Sequence, residues 1–576
     1  MEATVLLPRL KADRRHDIDA LRAFAMLLGI GLHAALAYSG KPWLVVDSRQ
    51  ADFFYWFFSA AHGFRMPLFF LVSGYFTALL VSRRGLWAML RNRASRILVP
   101  CLLGLATIVQ LNVKVGDWAM GWNMRHPGTP LTGAVVRKEN ERIAPLLDAG
   151  ADIEQPETRL KMRPLAWAVM TGNDEAARLL LERGADPNGA TPDGNTPLHA
   201  AALAGRSEMA KLLVSKGADS ARANSMGINP LAATFADENI TRLVYRFSMG
   251  KTEIDWAAIQ KGRQDVRTFL GPRLLGDGIR SMFARKPEQA AKPDAGQAAN
   301  PVPEWLASYY RWMSSDQFHV ETLYGKVRLF DDATFGHLWF LWFLVWMLAA
   351  YAMVDPMTNL LGFRKMPLAL SLVMAVAVSS AAQWCMGYQL LAGRRETIVG
   401  PDTSMGWLPR PHMLAYYGAF FWLGTRYFLR ANKGWWPERL WWLTLPLALF
   451  VLLPIAFSTL GNHAVNVPVQ VGFTWLMIFG LMGLFHARLN FESPAIRFLS
   501  DASYWLYLAH LPIVLALQAL FCDWPVPVAL KFLLVCLLTA LPLLASYRYL
   551  LCDSWLGLLL NGRLKAKPEP VSGQII

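Results

Sequence analysis

The chain has 576 residues, 54% of them hydrophobic and only 17% charged, with 23 Trp and 31 Phe. A soluble chain carries about a quarter charged residues, so these proportions, with a mean hydropathy of +0.26, exclude an ordinary soluble globule and a disordered chain. The net charge of +15 would suit a nucleic-acid binder, but the apolar residues come in long blocks, and in membrane proteins surplus Lys and Arg gather in cytoplasmic loops; no nucleic-acid partner is expected.

A hydrocarbon core of about 30 Å takes roughly 20 mostly apolar residues per helix. Ten stretches qualify, beginning near Ala20, Trp56, Ile97, Phe335, Pro367, His412, Leu440, Val469, Ala502 and Val528. The first carries Arg22 and His33 and ends without a small-residue cleavage site, so it reads as a retained helix. Cys101, Cys385, Cys522, Cys536 and Cys552 lie in or beside apolar segments without CxxC spacing, which speaks against a zinc site or a disulfide framework. The expected fold class is all-α: a polytopic membrane bundle of about ten transmembrane helices, interrupted by a hydrophilic interval at about residues 114 to 333.

Basic residues set the orientation. One set of short loops and ends holds twenty: Arg9, Lys11, Arg14, Arg15, Arg83, Arg84, Arg91, Arg93, Arg96, Arg364, Lys365, Arg426, Arg430, Lys433, Arg439, Arg488, Arg497, Arg563, Lys565 and Lys567. The alternate loops hold five: Lys41, Arg49, Arg394, Arg395 and Arg410. Both termini are therefore expected in the cytoplasm and the long insert on the outer side.

Within the insert, Pro164-Leu165-Ala166, Pro197-Leu198-His199 and Pro230-Leu231-Ala232 recur every 33 residues, and Gly-Ala-Asp recurs at Gly150, Gly184 and Gly217. With Thr196-Pro197-Leu198-His199-Ala200-Ala201, this resembles ankyrin repeats, an α-helical solenoid. A degenerate copy precedes (Ile143 to Asp152) and a further one is suggested by Ile254 to Leu270, so the array is expected over 138–272. His199 is expected to complete the repeat's own hydrogen bonding. Lys286 to Pro303, rich in Ala, Pro, Lys and Gln, reads as a linker. The remaining divisions follow: 1–113 as the first part of the membrane domain, 273–333 as linker and juxtamembrane segment, 334–560 as its second part and 561–576 as a cytoplasmic tail.

Ionisable residues inside spans are costly and mark functional candidates. Arg22 and His33 are eleven residues apart, about 1100° of helix and so on one face, separated by roughly 16 Å along the axis. This places Arg22 at the cytoplasmic mouth and His33 deep in the membrane, where an imidazole suits general-base work. A histidine bonded to a neighbouring helix fits the same spacing. His62 and Ser73 repeat that interval on the second span, with Arg65 a turn from His62, which suggests an enclosed polar pocket; snorkelling by Arg65 and small-residue packing at Ser73 and Gly74 are the alternative. Arg93 and Arg96, three apart at the inner end of the third span, could clamp phosphates or simply supply inward positive charge. His337 opens the fourth span, and His510 lies within the ninth, on one face with Ser503 and Tyr507.

The Arg22 and His33 pair resembles the hallmark of the acyltransferase 3 membrane family; Arg93 with Arg96 resembles its second motif, and Leu71-Val72-Ser73-Gly74-Tyr75 its Ser-Gly-aromatic segment. The closer likeness is to the glucan biosynthesis protein C (glucan succinyltransferase) group, in His62-Gly63-Phe64-Arg65-Met66-Pro67, His337-Leu338-Trp339-Phe340-Leu341-Trp342 and Tyr504 to His510. The resemblance implies an enzyme of the bacterial inner membrane that moves an acyl group, succinyl or acetyl, from cytoplasmic acyl-CoA to a hydroxyl of a periplasmic glycan. In that scheme His33 and Arg22 are catalytic, and Arg22, Arg93 and Arg96 hold the donor. His62, Arg65, Ser73, His337 and His510 form the acceptor pocket, and the repeats, on the periplasmic side, recruit a protein partner or the acceptor. No permanently bound cofactor is implied, nor a metal, since no three of these histidines have local ligand spacing. A transporter or receptor that keeps the fold without the chemistry is the alternative.

Overall fold

The computed structural model describes residues 15–41, 43–249, 253–284, 303–322, 325–360, 366–389, 394–395, 398–428 and 436–561. Apart from Pro303 and Asn561, the expected linker and tail lie outside these residues, as do the basic positions Arg9, Lys11, Arg14, Arg364, Lys365, Arg430 and Lys433.

Inside hydrocarbon a lone segment satisfies its backbone only as a helix, and the apolar blocks obey. The body begins with α1 (His16–Leu36), α2 (Asp52–Arg84) and α3 (Leu86–Arg125). The insert supplies α4 (Pro130–Arg137), α5 (Ile143–Asp148), α6 (Pro164–Thr171), α7 (Asp174–Glu182), α8 (Pro197–Leu203), α9 (Ser207–Ser215), α10 (Pro230–Ala233), α11 (Glu238–Met249) and α12 (Trp256–Ala284). After α13 (Glu304–Met313) and a small antiparallel hairpin (His319–Thr322 with Gly325–Arg328), the body resumes. It continues through α14 (Gly336–Thr358), α15 (Leu368–Trp384), α16 (Pro411–Phe428), α17 (Trp441–Ser458), α18 (His463–Leu489), α19 (Pro494–Phe521) and α20 (Val528–Leu551).

Helices stand at all ten expected spans. Eight are long and apolar enough to cross a membrane; α15 is shorter at 17 residues, and α16, with 18, carries buried His412 and Arg426. Gly85, at φ 79° and ψ 168°, breaks what would otherwise be one continuous helix into α2 and α3, a conformation that glycine alone adopts cheaply. Further along, α2 and α16 touch backbone to backbone: a Cβ on Gly74 would strike the Phe421 carbonyl, and one on Gly424 the Leu71 carbonyl. Ser73-Gly74 thus serves the close helix crossing that small residues permit.

The 40 residues of α3 make a rod of about 60 Å, roughly twice the hydrocarbon thickness; its C-terminal part packs along α19 through Val115, Ala119 and Trp122 and leads into the insert. Pro164, Pro197 and Pro230 open α6, α8 and α10 at their first turns, where a missing N–H costs nothing. Pro130 opens α4 in the same way, 34 residues before Pro164, and α4 packs against α6 through one apolar core that includes Leu131, Val135, Leu165 and Leu198. The solenoid core therefore starts before residue 138. His199 exchanges hydrogen bonds with Thr196 in a capping box, and its Nε2 donates to the Ile228 carbonyl of the next repeat (2.9 Å).

Candidate active site

Three helices converge near the end of the body that faces the insert. His33 lies in the last turn of α1, not midway along it, yet it stays enclosed because α19 runs eleven residues beyond His510. The His33 and His510 rings have centroids 5.1 Å apart, and His337, at the start of α14, lies 5.9 Å from His510. Trp43, from the segment that joins α1 to α2, closes the other side of His33 at 6.0 Å.

Hydrogen bonding assigns the tautomers, because a carbonyl can only accept. His510 Nδ1 meets the Leu506 and Tyr507 carbonyls (3.0 and 2.9 Å), so it carries the proton and leaves Nε2 as a buried lone pair with no partner among the described residues. His337 donates from Nε2 to the Leu508 carbonyl (3.0 Å) and accepts at Nδ1 from Asn112 of α3 (2.8 Å). Both its nitrogens are spent, which makes His337 a positioning residue; Tyr507 fixes it further by donating to its carbonyl (2.6 Å). His33 Nδ1 is buried and has no partner among the described residues, while the residue itself is only half-buried. Among the described residues, no hydrogen bond ties His33 Nδ1 to a neighbouring helix.

The backbone of His33 is tied instead. A helix end leaves its last carbonyls unpaired, and Gln518 Nε2 donates to those of His33 and Ala34 (2.9 and 3.1 Å) while its Oε1 accepts from Trp43 Nε1 (3.0 Å). Gln518, Trp43 and Asn112 were not singled out from the sequence; a polar amide within an apolar run was the available signal. Arg65 is 9% exposed, and its guanidinium occupies the space beside Gly29, one turn before His33, where a Cβ would collide with Nη1. His62 stacks on Phe58 (5.3 Å) and donates to the Pro401 carbonyl (2.8 Å), so it fastens the segment before α16 to α2. Ser73 is not brought to this cluster: it lies eleven residues along α2 from His62, roughly 16 Å toward the opposite end.

At that opposite end Arg22 Nη2 donates to the carbonyl and hydroxyl of Ser500 (2.7 and 2.6 Å), with Asp19 beyond the same hydroxyl (3.4 Å). Arg22 and Arg96 both lie close enough to act electrostatically on Arg93, so three guanidiniums from α1 and α3 share one region. Arg93 and Arg96 do not keep plain α-helical register, because a π-helical turn (Ala94–Leu98) follows Arg93 and holds extra residues per turn.

The segment that roofs the site is pinned by Asn123 of α3, which accepts from the Val46 N–H (3.1 Å) and donates to its carbonyl (2.8 Å). It is also held by Asp47, whose carboxylate pairs with Lys531 at 2.7 Å; both side chains are almost wholly buried.

The family model described as "Acyltransferase domain" matches residues 15–132 and 299–548, and the model "Ankyrin repeats (3 copies)" matches 131–224. The chain is similar to glucans biosynthesis protein C of Shigella dysenteriae serotype 1 (strain Sd197), with 32% identity over 120 residues. It is similar also to glucans biosynthesis protein C of Escherichia coli (strain K12), with 36% identity over 120 residues. Each match covers 21% of this chain and 31% of the relative, so the chain spans under a third of the length of these curated relatives.

Proposed function

The chain belongs to the acyltransferase domain family, whose model covers well over half of it, and from that premise we propose that it transfers an acyl group from cytoplasmic acyl-CoA to a hydroxyl of an extracytoplasmic glycan. Succinyl and acetyl are the acyl groups we favour, with the ankyrin repeats serving as an interaction module on the outer side. The observation that carries the reading is the pair of imidazole nitrogens, His33 Nδ1 and His510 Nε2, both buried and without a partner among the described residues, on rings 5.1 Å apart. They stand eleven residues of α1, roughly 16 Å, from the Arg22, Arg93 and Arg96 region.

In this reading the guanidiniums bind the phosphates of the donor, since Arg presents forked donors matched to phosphate oxygens. The extended thiol arm of the donor then carries the thioester up to the histidines. His33, the more accessible of the two, takes the proton of the acceptor hydroxyl as its oxygen attacks the thioester carbon. The carbon–oxygen bond forms, and the charge that develops on the carbonyl oxygen is met by Arg65. The carbon–sulfur bond breaks, and the thiolate leaves with the proton held by the imidazolium, which regenerates neutral His33 and free thiol. His510 offers a second lone pair to orient the acceptor or share the proton. His337 and His62 hold α14 and the segment before α16 in register.

The test compares cells that carry the chain or its His33→Ala variant at equal membrane levels. Ester content of extracytoplasmic glycans, read by mass spectrometry, should fall to background in the variant, and turnover of radiolabelled acyl-CoA by purified protein should fall with it. Undiminished ester content would reject the mechanism.

A further inference from the structure

A cavity lies away from the histidines, among α2, α14 and α16. It has a volume of about 260 Å³ and a mainly apolar lining that includes Met347, Val354, Gly418 and Phe421. Its polar residues gather at one end: Asp355 and Thr358 on α14, Thr425 and Arg426 on α16. That is the end of the body that also holds Arg22 and Arg93, as the direction of the helices requires.

Three features of the cavity point to one occupant. From Met347 to Thr358 it follows eleven residues of α14, roughly 16 Å, which is about one leaflet of a hydrocarbon core some 30 Å thick. Its volume is just below the roughly 300–1,000 Å³ of sites for drug-sized ligands, too little for a nucleotide and suited to one hydrocarbon chain. Val354, in its wall, is 49% exposed, so the cavity opens sideways on the surface of the bundle, where Met353 and Met357 are 69% and 61% exposed. The polar groups at the end do not demand a ligand of their own: the Thr358 and Thr425 hydroxyls donate to the Asp355 and Trp422 carbonyls, and Arg426 Nη2 donates to the Met366 carbonyl. An amphiphile with its tail along the helices and its head at that end matches this gradient, whereas a wholly apolar or wholly polar ligand does not.

We propose that this cavity binds one acyl tail of a membrane phospholipid, inserted sideways from the leaflet on the Arg22 side, as a site separate from the histidine cluster. Its lining includes none of the residues assigned to catalysis, so the inference stands apart from the reaction proposed above.

The experiment places the full chain in vesicles of bacterial phospholipid doped with phosphatidylglycerol whose tail carries a photoreactive diazirine, and maps the labelled peptides by mass spectrometry. A Cβ at Gly418 would meet Met347 only at ordinary contact distance (3.7 Å), so Gly418→Leu fills the cavity without forcing the backbone, and Ala350→Leu fills it from the other helix. Labelling should concentrate on Met347–Thr358 and Gly418–Arg426 and fall about tenfold in either variant, with labelling of α17 and α20 unchanged as the internal standard for folding. Label spread evenly over the lipid-facing helices, label in the cavity that survives both fillings, or preferential labelling there by a diazirine-tailed acyl-CoA would each overturn the proposal.

Discussion

Gly29→Ala tests the chemistry without touching a reacting group. Gly29 is buried in the interior of α1, and the space that its missing side chain leaves is filled by the Arg65 guanidinium: an alanine Cβ would collide with Nη1 and come within 3.3 Å of Cζ. What must move is the far end of a flexible side chain, so the fold should tolerate the change. Alanine in place of glycine adds about 1 kcal/mol of helix propensity, which offsets the cost of moving Arg65, and the unfolding temperature should stay near that of the parent. Activity should not. If Arg65 stabilises the developing oxyanion, its displacement costs on the order of 10²–10³ in kcat, or about 2.7–4 kcal/mol. The assay is ester formation on the glycan acceptor by purified chain at saturating acyl-CoA, beside thermal unfolding followed by tryptophan fluorescence. Gly31→Ala is the control, since a Cβ there meets the rings of Phe57 (3.3 Å) and Phe532 (3.8 Å) and no charged group, and it should keep its activity. A stable Gly29→Ala chain with parental kcat would refute the role assigned to Arg65.

Lys531→Met leaves Asp47 buried without its cation and should cost about 3–5 kcal/mol of stability, most of it recovered in Asp47→Leu/Lys531→Met; equal unfolding temperatures for the single and double variants would contradict this. Arg93→Ala should raise KM for acyl-CoA by about tenfold or more, as expected for a lost charge-assisted bond of roughly 1.5–3 kcal/mol, and leave KM for the acceptor alone; a change confined to the acceptor would remove Arg93 from the donor site. Burial holds the His199 imidazole below its usual pKa. Unfolded repeats therefore bind a proton that folded ones do not once the pH drops below about 6.5, so this contribution to stability is full above that pH and is lost as pH falls toward the lower folded value. Amide protection factors across residues 164–215, taken relative to the intrinsic exchange rate at each pH, should fall on acidification through that window and less so in His199→Gln; identical profiles would show that His199 does not set it.

Much of this molecule is legible in one dimension because its determinants are local. Apolar run length decides where a helix can cross hydrocarbon, and all ten runs carry helices. The 33-residue period decides the solenoid, because each repeat buries its apolar face only against the next. Spacing on one helix also placed Arg22 and His33 on a common face. Lys531, an ionisable residue among apolar ones in the tenth stretch, is equally readable as a buried charge that needs a partner.

What no spacing could supply is the relation between helices. That His337 spends both nitrogens while His33 Nδ1 and His510 Nε2 have no partner among the described residues depends on carbonyls of α19 and an amide of α3. That Arg65 fills the gap beside Gly29 follows from how α2 lies against α1. Such contacts join residues on different helices, 36 to 225 positions apart, and only the packing of side chains, which a linear pattern does not encode, selects among the registers that the same amphipathic faces allow.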